Sequence, residues 1–333
     1  MKPQISIIVP VYNLASLIGR ALESVLDQSF GELEILLVDD ASTDGGSKIC
    51  REYAQKDSRI KYHQNQKNQG GGKSRNAAIQ KAKGKYLLFL DGDDFFEPNA
   101  LNKIILKAKS SGSDLIVFGF NQLWEENLYA VASCTPCPKN IKPGDEFESY
   151  LLNINGFGPF PWIYLYRRDL IISNNIKFSK GVCCNDIPFT SKAVYFSEKI
   201  DYIAQPLYNY YRRKGSITLS RAKQKVKDRI KAYEGLGQFI QQQGGWEQYK
   251  DAFLIRLLAF CYPLALRDYN DLKTNEKSKG LKKYFRVLKS SPLLGQSSIN
   301  TLYHISQSLE DDQKMSKTAY KNAYHILTHW IKN

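Results

Sequence analysis

Leu87-Leu88-Phe89-Leu90-Asp91-Gly92-Asp93-Asp94 is the stretch that decides the fold: an apolar run ends abruptly in three carboxylates within four positions. An unbroken apolar run reads as a buried, parallel strand, and open α/β sheets bind ligands at the carboxyl ends of their strands. Carboxylates crowded at such an end repel one another, and their pKa values rise unless something cationic sits among them. A divalent metal carrying a phosphorylated ligand would do this, since Mg²⁺ and Mn²⁺ favour carboxylate oxygen and keep positions open for phosphate. Gly92 is expected to let the backbone turn tightly, so that the flanking carboxylates converge. A capped strand end followed by a solvated turn would read the same way locally, and the rest of the chain has to separate the two.

Outward from this run, strands and helices alternate. Ile5-Ser6-Ile7-Ile8-Val9-Pro10-Val11-Tyr12 is a β-branched run closed by Asn13, and Glu34-Ile35-Leu36-Leu37-Val38 is a second strand ending at Asp39-Asp40. Helices are expected over 16–28 and over 42–56, the latter with Ser42 and Asp44 as N-cap candidates, and near 74–83; a short strand is expected at Ile60-Lys61-Tyr62. Another strand candidate is 114–120, after which the pattern loosens around Pro136, Pro138, Pro143, Pro159 and Pro161. Helical periodicity returns beyond about residue 221, with helices expected at 250–267 and 318–331. The alternation predicts an α/β fold with a mostly parallel mixed sheet flanked by helices, and a domain boundary near residue 220. That division gives a domain over 1–220 and a helical region over 221–333.

The 333 residues are 43% hydrophobic and 24% charged, an ordinary globular composition. No apolar stretch reaches the roughly 18 residues needed to span a bilayer. Met1-Lys2-Pro3-Gln4 runs directly into a strand, so the start does not read as a signal peptide. The six cysteines make no disulfide framework in a chain this long, which points to a reduced, cytoplasmic setting. Net charge is +14, and ten of those positive charges are the excess within 221–333. Such a surface attracts anionic lipid, nucleic acid or another anionic polymer, and a solvated basic helical face would look the same.

Two strands therefore end in acids, at Asp39-Asp40 and at Asp91/Asp93/Asp94, and a doubly wound sheet would bring both to one crevice. Gln69-Gly70-Gly71-Gly72-Lys73-Ser74-Arg75-Asn76 invites a P-loop reading but fails it, because the required first glycine is Lys67. Lys73 and Arg75 at a helix start still suit an anionic or nucleotide ligand. Cys134 and Cys137 with Cys183 and Cys184 have poor spacing for zinc, and the four histidines make neither a triad nor a zinc helix, since His325 lacks a neighbouring Glu. The aromatics Phe157, Phe160, Trp162, Tyr164 and Tyr166 could stack on sugar rings or pack in the core.

Five segments carry a resemblance. Pro10-Val11-Tyr12-Asn13, Val38 to Asp44, Asn68 with Gly70 and Arg75-Asn76, Ala82 to Tyr86, and Leu90 to Asp94 occur in the order and spacing of the family 2 (GT-A type) bacterial glycosyltransferases. The resemblance spans roughly residues 4–220, and nothing comparable covers 221–333. It implies a GT-A type Rossmann-like sheet and a nucleotide-sugar donor, with UDP favoured. Asp40 would read the uracil, Pro10 and Tyr12 would line the nucleoside pocket, and Arg75 would help hold base or sugar. Asp91 and Asp93 match the Asp-X-Asp pair that binds ribose, diphosphate and Mn²⁺ or Mg²⁺, with Asp94 the least certain metal ligand.

Further along, Tyr164 to Leu170 and Ile176-Lys177-Phe178 resemble the family's acceptor-side segment, which leads to a Glu-Asp pair whose Asp is the catalytic base. Asn185-Asp186 stands there instead, so Asp186 is the base candidate, against a plainer reading as a cap before Pro188. Tyr210 to Thr218 resembles the loop that closes over the diphosphate, where Arg212, Arg213 and Ser216 would contact the donor. The implied activity is inverting transfer of a sugar to a hydroxyl of a surface glycan, free or lipid-linked. The basic helices would lean on the anionic inner membrane face or pair subunits into a homo-oligomer, and nucleic acid is the disfavoured partner. The rivals are a non-catalytic nucleotide-sugar-binding scaffold of the same fold, and a nucleotidyltransferase, which would want a glycine-rich turn where Pro10-Val11-Tyr12-Asn13 stands.

Overall fold

In the computed structural model, which describes residues 2–125, 127–134, 145–151, 158–179, 184–213, 222–250, 252–253 and 256–257, the apolar runs become a parallel core. Strand β1 (Ile5–Val11) lies between β2 (Leu33–Asp39) and β4 (Tyr86–Phe89), with Ile5 opposite both Leu33 and Tyr86. β3 (Ile60–Gln64) joins the far side of β2, also in parallel. Side chains on both faces of β1, β2 and β4 are buried, which is why these strands read as continuous apolar runs rather than alternating ones. The connecting helices are α1 (Ile18–Leu26), α2 (Gly46–Lys56) and α3 (Gly71–Lys81).

Beyond β4 the sheet becomes mixed. β5 (Phe95–Phe96), α4 (Ala100–Ser111), β6 (Leu115–Trp124) and β7 (Asn127–Cys134) follow, then α5 (Glu146–Leu151), a 3-10 turn, β8 (Tyr164–Arg167), α6 (Arg168–Ser173), α7 (Asp186–Phe196) and β9 (Ile200–Arg212). The nine-stranded sheet has the order β3-β2-β1-β4-β8-β6-β9-β5, with β7 paired to β6. β8 is antiparallel to β4 and β6, whereas β9 runs parallel to β6 and antiparallel to β5. Strand order reverses between β1 and β4, so the loops after these two strands flank the crevice where such sheets take their ligands.

Several element boundaries differ from the sequence reading, each for a local reason. α2 starts at Gly46 with Gly45 as N-cap, not at Ser42, because the expected caps are spent across the loop. Ser42 Oγ accepts from Asn13 N–H (3.0 Å), and Asp44 accepts from Ala15 N–H (2.8 Å) and Gly46 N–H (2.9 Å). α3 starts three residues early, at Gly71, and β6 extends to Trp124, because β9 pairs with it as far as Arg212. β9, thirteen residues long, was not visible as a strand; its pattern is interrupted by Pro206 and a register shift.

The chain divides into two compact units, one of Met1–Gly181 with Asn185–Thr218, the other of Val182–Cys184 with Leu219–Asn333. In the second unit α8 (Ala222–Gln242) and the helical residues 246–250 are joined by aromatic packing of Phe253 on Tyr233 and Trp246. Only the start of the expected helix at 250–267 lies within the described residues, and the expected helix at 318–331 lies outside them. Among the described residues no helix is long and apolar enough to cross a membrane.

Phe89, the last residue of β4, ties the first unit together below the acidic turn. Its ring meets Tyr166 of β8, Phe178 and Phe189 of α7 edge-on at 5.4–5.5 Å, and Phe178 stacks on Phe189 at 3.9 Å. Phe89→Ala is expected to cost ~3–5 kcal/mol, measured by urea unfolding; a loss under ~1 kcal/mol would mean these elements do not depend on that ring.

Candidate active site

The acidic turn is closed by a backbone bond from Asp94 N–H to Asp91 C=O (2.9 Å). Gly92 is needed there for space rather than for conformation, since its φ is not in the left-handed region. A Cβ on it would come within 2.9 Å of Leu14 Cδ1 and 3.3 Å of Pro10 O, so a larger residue would have to displace the Leu14 side chain that packs against the turn. The expected reason, a turn that only glycine can make, is thus replaced by close approach.

The three carboxylates leave the turn in different directions and are satisfied differently. Asp91 forms an ion pair with Arg75 of α3. Asp93 Oδ2 accepts from Arg213 Nε at 3.2 Å. Asp94, 1% exposed, accepts from the Tyr208 hydroxyl (2.7 Å) and from Tyr211 N–H (2.8 Å). The same Tyr208 oxygen accepts from Asp91 N–H at 3.2 Å, so β9 grips both ends of the turn. Burial, then repulsion from Asp91, raises the pKa of Asp93 despite Arg213. Burial, then Asp93 and Asp91, pushes Asp94 well above the usual carboxylate range. Among the described residues no three His, Cys, Asp or Glu side chains converge well enough to hold a metal alone.

Arg75 links the turn to the base candidate. Burial opposes its charge, but the negative charges of Asp91 and Asp186 outweigh that and raise its pKa. Asp186 is the first residue of α7, where a carboxylate also gains from the helix dipole, and its Oδ1 accepts from Ile187 N–H (3.0 Å). The capping position belongs to Asn185, whose amide lies 3.0 Å from where a Gly72 Cβ would stand, against the first turn of α3. Asn76, next to Arg75, exchanges two bonds of 2.9 Å with the backbone of Phe178 and so fastens the segment before α7 to α3.

On the other side of the switch point, Tyr12 is 42% exposed just past β1, and Pro10 is half-buried within it. Asn13, at φ +51°, crosses to the neighbouring loop, where its Oδ1 accepts from Thr43 N–H at 2.8 Å. Asp40 is 2% exposed and accepts from Asn65 Nδ2 (2.7 Å), Gln69 N–H (3.0 Å) and Gly70 N–H (2.7 Å). It therefore shapes the glycine-rich loop that leads into α3.

The two arginines of the expected diphosphate loop part company. Arg213 turns to Asp93, whereas Arg212 lies over the Trp124 ring at 4.5 Å. Ser216 and the rest of that loop lie outside the described residues, as do Phe157, Cys137, Cys183, Cys261 and His304, His325 and His329. Tyr164, Tyr166 and Trp162 are buried, and Trp162 stacks between Tyr208 (4.6 Å) and Phe160 (5.2 Å), which assigns them to the core rather than to sugar stacking. Asn76, Asn13 and Tyr208 were missed in the sequence. Asn76 and Asn13 lie inside quoted motifs, but nothing local distinguishes Tyr208 among the tyrosines around it.

The sheet, the switch-point loops and the acid–arginine cluster define a GT-A type glycosyltransferase fold. The chain belongs to glycosyl transferase family 2, whose model matches residues 6–173. It is similar to the uncharacterized glycosyltransferase EpsJ of Bacillus subtilis, at 27% identity over 94% of this chain and 91% of EpsJ. Among solved structures it resembles Staphylococcus aureus TarS 1–349 in complex with UDP-GlcNAc, with a TM-score of 0.70 and 22% identity over 100% of this chain and 92% of that one. It also resembles the mannosyltransferase PcManGT of Pyrobaculum calidifontis in complex with GDP-Man and Mn²⁺, with a TM-score of 0.52 and 16% identity over 100% and 89% of the two chains.

Asp94→Asn keeps an acceptor for Tyr211 N–H and removes a buried like charge, so unfolding free energy should stay within ~1 kcal/mol of wild type. Asp94→Ala should lose ~2–3 kcal/mol, because a buried hydroxyl and N–H are left without an acceptor. Denaturant titration of both variants checks this, and an Asp94→Asn loss as large as that of Asp94→Ala would contradict it.

Proposed function

We propose that this chain is an inverting glycosyltransferase that moves a sugar from a nucleotide-sugar donor, UDP-linked in preference, to a hydroxyl of a surface-glycan acceptor, free or lipid-linked. The observation that supports this reading is that Arg75 of α3 is ion-paired with Asp91 and feels the charge of Asp186, while Asn185, next to Asp186, packs against the first turn of the same helix. The donors bound by TarS and PcManGT support the donor class.

Asp186 would take the proton from the acceptor hydroxyl, whose oxygen then bonds to the anomeric carbon as the bond from that carbon to the diphosphate breaks. The nucleoside diphosphate leaves with the electron pair, and Arg213 and Arg75 would turn from their carboxylates to the growing charge on it. Tyr12 would stack on the base beside Pro10, with Asp40 ordering the loop around it. Arg212, stacked on Trp124, falls to the rim of the donor site.

Mn²⁺ or Mg²⁺ fits Asp91 and Asp93, and not Asp94. The first two repel each other and are each about one-quarter exposed, while Asp94 is sealed by Tyr208 and Tyr211. Two carboxylates without a third ligand suit an ion whose remaining positions are filled by diphosphate and water. Bound there, it would neutralise charge on the diphosphate. The excess of ten positive charges in 221–333 supports peripheral contact with an anionic membrane face.

Asp186→Asn should lower the transfer rate by ~10²–10⁴-fold while leaving UDP affinity within about threefold by calorimetry. Retained transfer would remove Asp186 from the base role, and a wild-type chain that binds UDP but neither transfers nor hydrolyses a UDP-sugar would be a binding module. Separately, EDTA and Asp93→Ala should each weaken UDP binding about tenfold or more, ~1.4 kcal/mol. Unchanged affinity in both would place the metal elsewhere.

A further inference from the structure

Helix α1 and the turn that follows it carry a row of polar side chains that the proposed chemistry does not use. Arg20, Ser24 and Gln28 recur every four residues, and all three bond to the chain that leaves the acidic turn. Arg20 Nη2 donates to Asp93 C=O at 2.8 Å. Ser24 Oγ accepts from Phe96 N–H at 3.1 Å. Gln28 donates to Glu97 C=O at 3.0 Å and accepts from Leu101 N–H at 3.2 Å. Arg20 and Ser24, four apart on α1, share one edge of the helix, Gln28 extends it past the helix end, and together the three set the path of residues 93–101.

Arg20 differs from the other two. Its guanidinium lies between the rings of Phe95 (4.5 Å) and Tyr211 (4.1 Å). Among the described residues no carboxylate pairs with it, and its Nε is buried without a hydrogen-bond partner. A guanidinium with two rings against it and no carboxylate partner is held for its shape and position. Phe95 follows the acidic turn directly. Tyr211 donates its N–H to Asp94 and stands two residues before Arg213, the partner of Asp93. Arg20 thus touches the turn and the strand end that closes on it.

We infer that Arg20 is a positioning residue: it clamps the Asp93 backbone to the end of β9, and so sets where the Asp93 carboxylate and Arg213 meet the donor diphosphate and its metal. The functional half of this inference rests on the proposed donor site; the clamp itself does not. A plain packing role would leave the metal-linked part of donor binding untouched, whereas a clamp on the Asp93 turn changes that part first.

The test uses the full chain with Arg20→Met, which keeps the apolar stem, and Arg20→Lys, which keeps the charge but cannot lie flat between two rings. In the ligand-free protein, Arg20→Met should speed hydrogen exchange about tenfold at the amides of Asp94, Phe96 and Tyr211 and leave β1 and β2 unchanged. The gain in UDP affinity on adding Mn²⁺ should shrink about fivefold or more in Arg20→Met, with partial recovery in Arg20→Lys, while UDP affinity in EDTA stays within about twofold. Unchanged exchange at those three amides would overturn the clamp. Faster exchange with an intact Mn²⁺-dependent gain would overturn its role in positioning Asp93. Should wild type show no such gain, the proposed donor site fails on its own, and the exchange data alone decide the clamp.

Discussion

Three carboxylates at the end of one buried strand are the constraint around which this structure is arranged. Left alone, Asp91, Asp93 and Asp94 would raise one another's pKa values and push the turn apart. Each has its own partner: Asp91 has Arg75 of α3, while β9 and its end supply Arg213 to Asp93 and the Tyr208 hydroxyl and Tyr211 N–H to Asp94. Those last three partners come from more than 110 residues later in the chain. Meeting the electrostatic demand of the turn therefore draws on β9, which enters the sheet between β6 and β5 and brings Arg213 beside Asp93.

The division of labour among the acids follows from burial. Asp94 has no solvent and two neutral hydrogen-bond donors, so it acts as a joint between the turn and β9. Asp91 and Asp93 keep partial exposure and face guanidinium groups, which an anionic ligand can compete for. On the opposite wall, Asn13, Ser42, Thr43 and Asp44 stitch the β1–α1 and β2–α2 loops together and leave Tyr12 exposed beside them. The rigid parts are those whose polar groups are paired internally; the exposed parts line the crevice.

The parallel half of the fold was legible because its strands are buried on both faces and interrupted by acids or turns. β1, β2 and β4 are apolar runs whose ends carry the motif residues, so strand and site were read together. In the second half β6 was expected at 114–120, but β8 and β9 were not. β8 is only four residues long, and β9 mixes apolar, polar and aromatic residues around a proline, so neither has a single-period signal. The start of α2 slipped by four residues because Ser42 serves the β1–α1 loop instead of its own helix, while Asp44 is shared between that loop and Gly46 N–H.

The sequence by itself determined the class of fold, the order of its first elements and the list of charged candidates, because periodicity and residue type are local properties. It left Arg212 and Arg213 equivalent and Asp94 undecided, and it offered no reason to single out Arg20, Asn76 or Tyr208. Those distinctions depend on what each side chain meets across the fold: Trp124 for Arg212, Asp93 for Arg213, and two rings and a carbonyl for Arg20. Only tertiary structure decides them, since the strength of a charge or a hydrogen bond is set by its neighbours and their burial, and those neighbours lie tens of residues away in the chain.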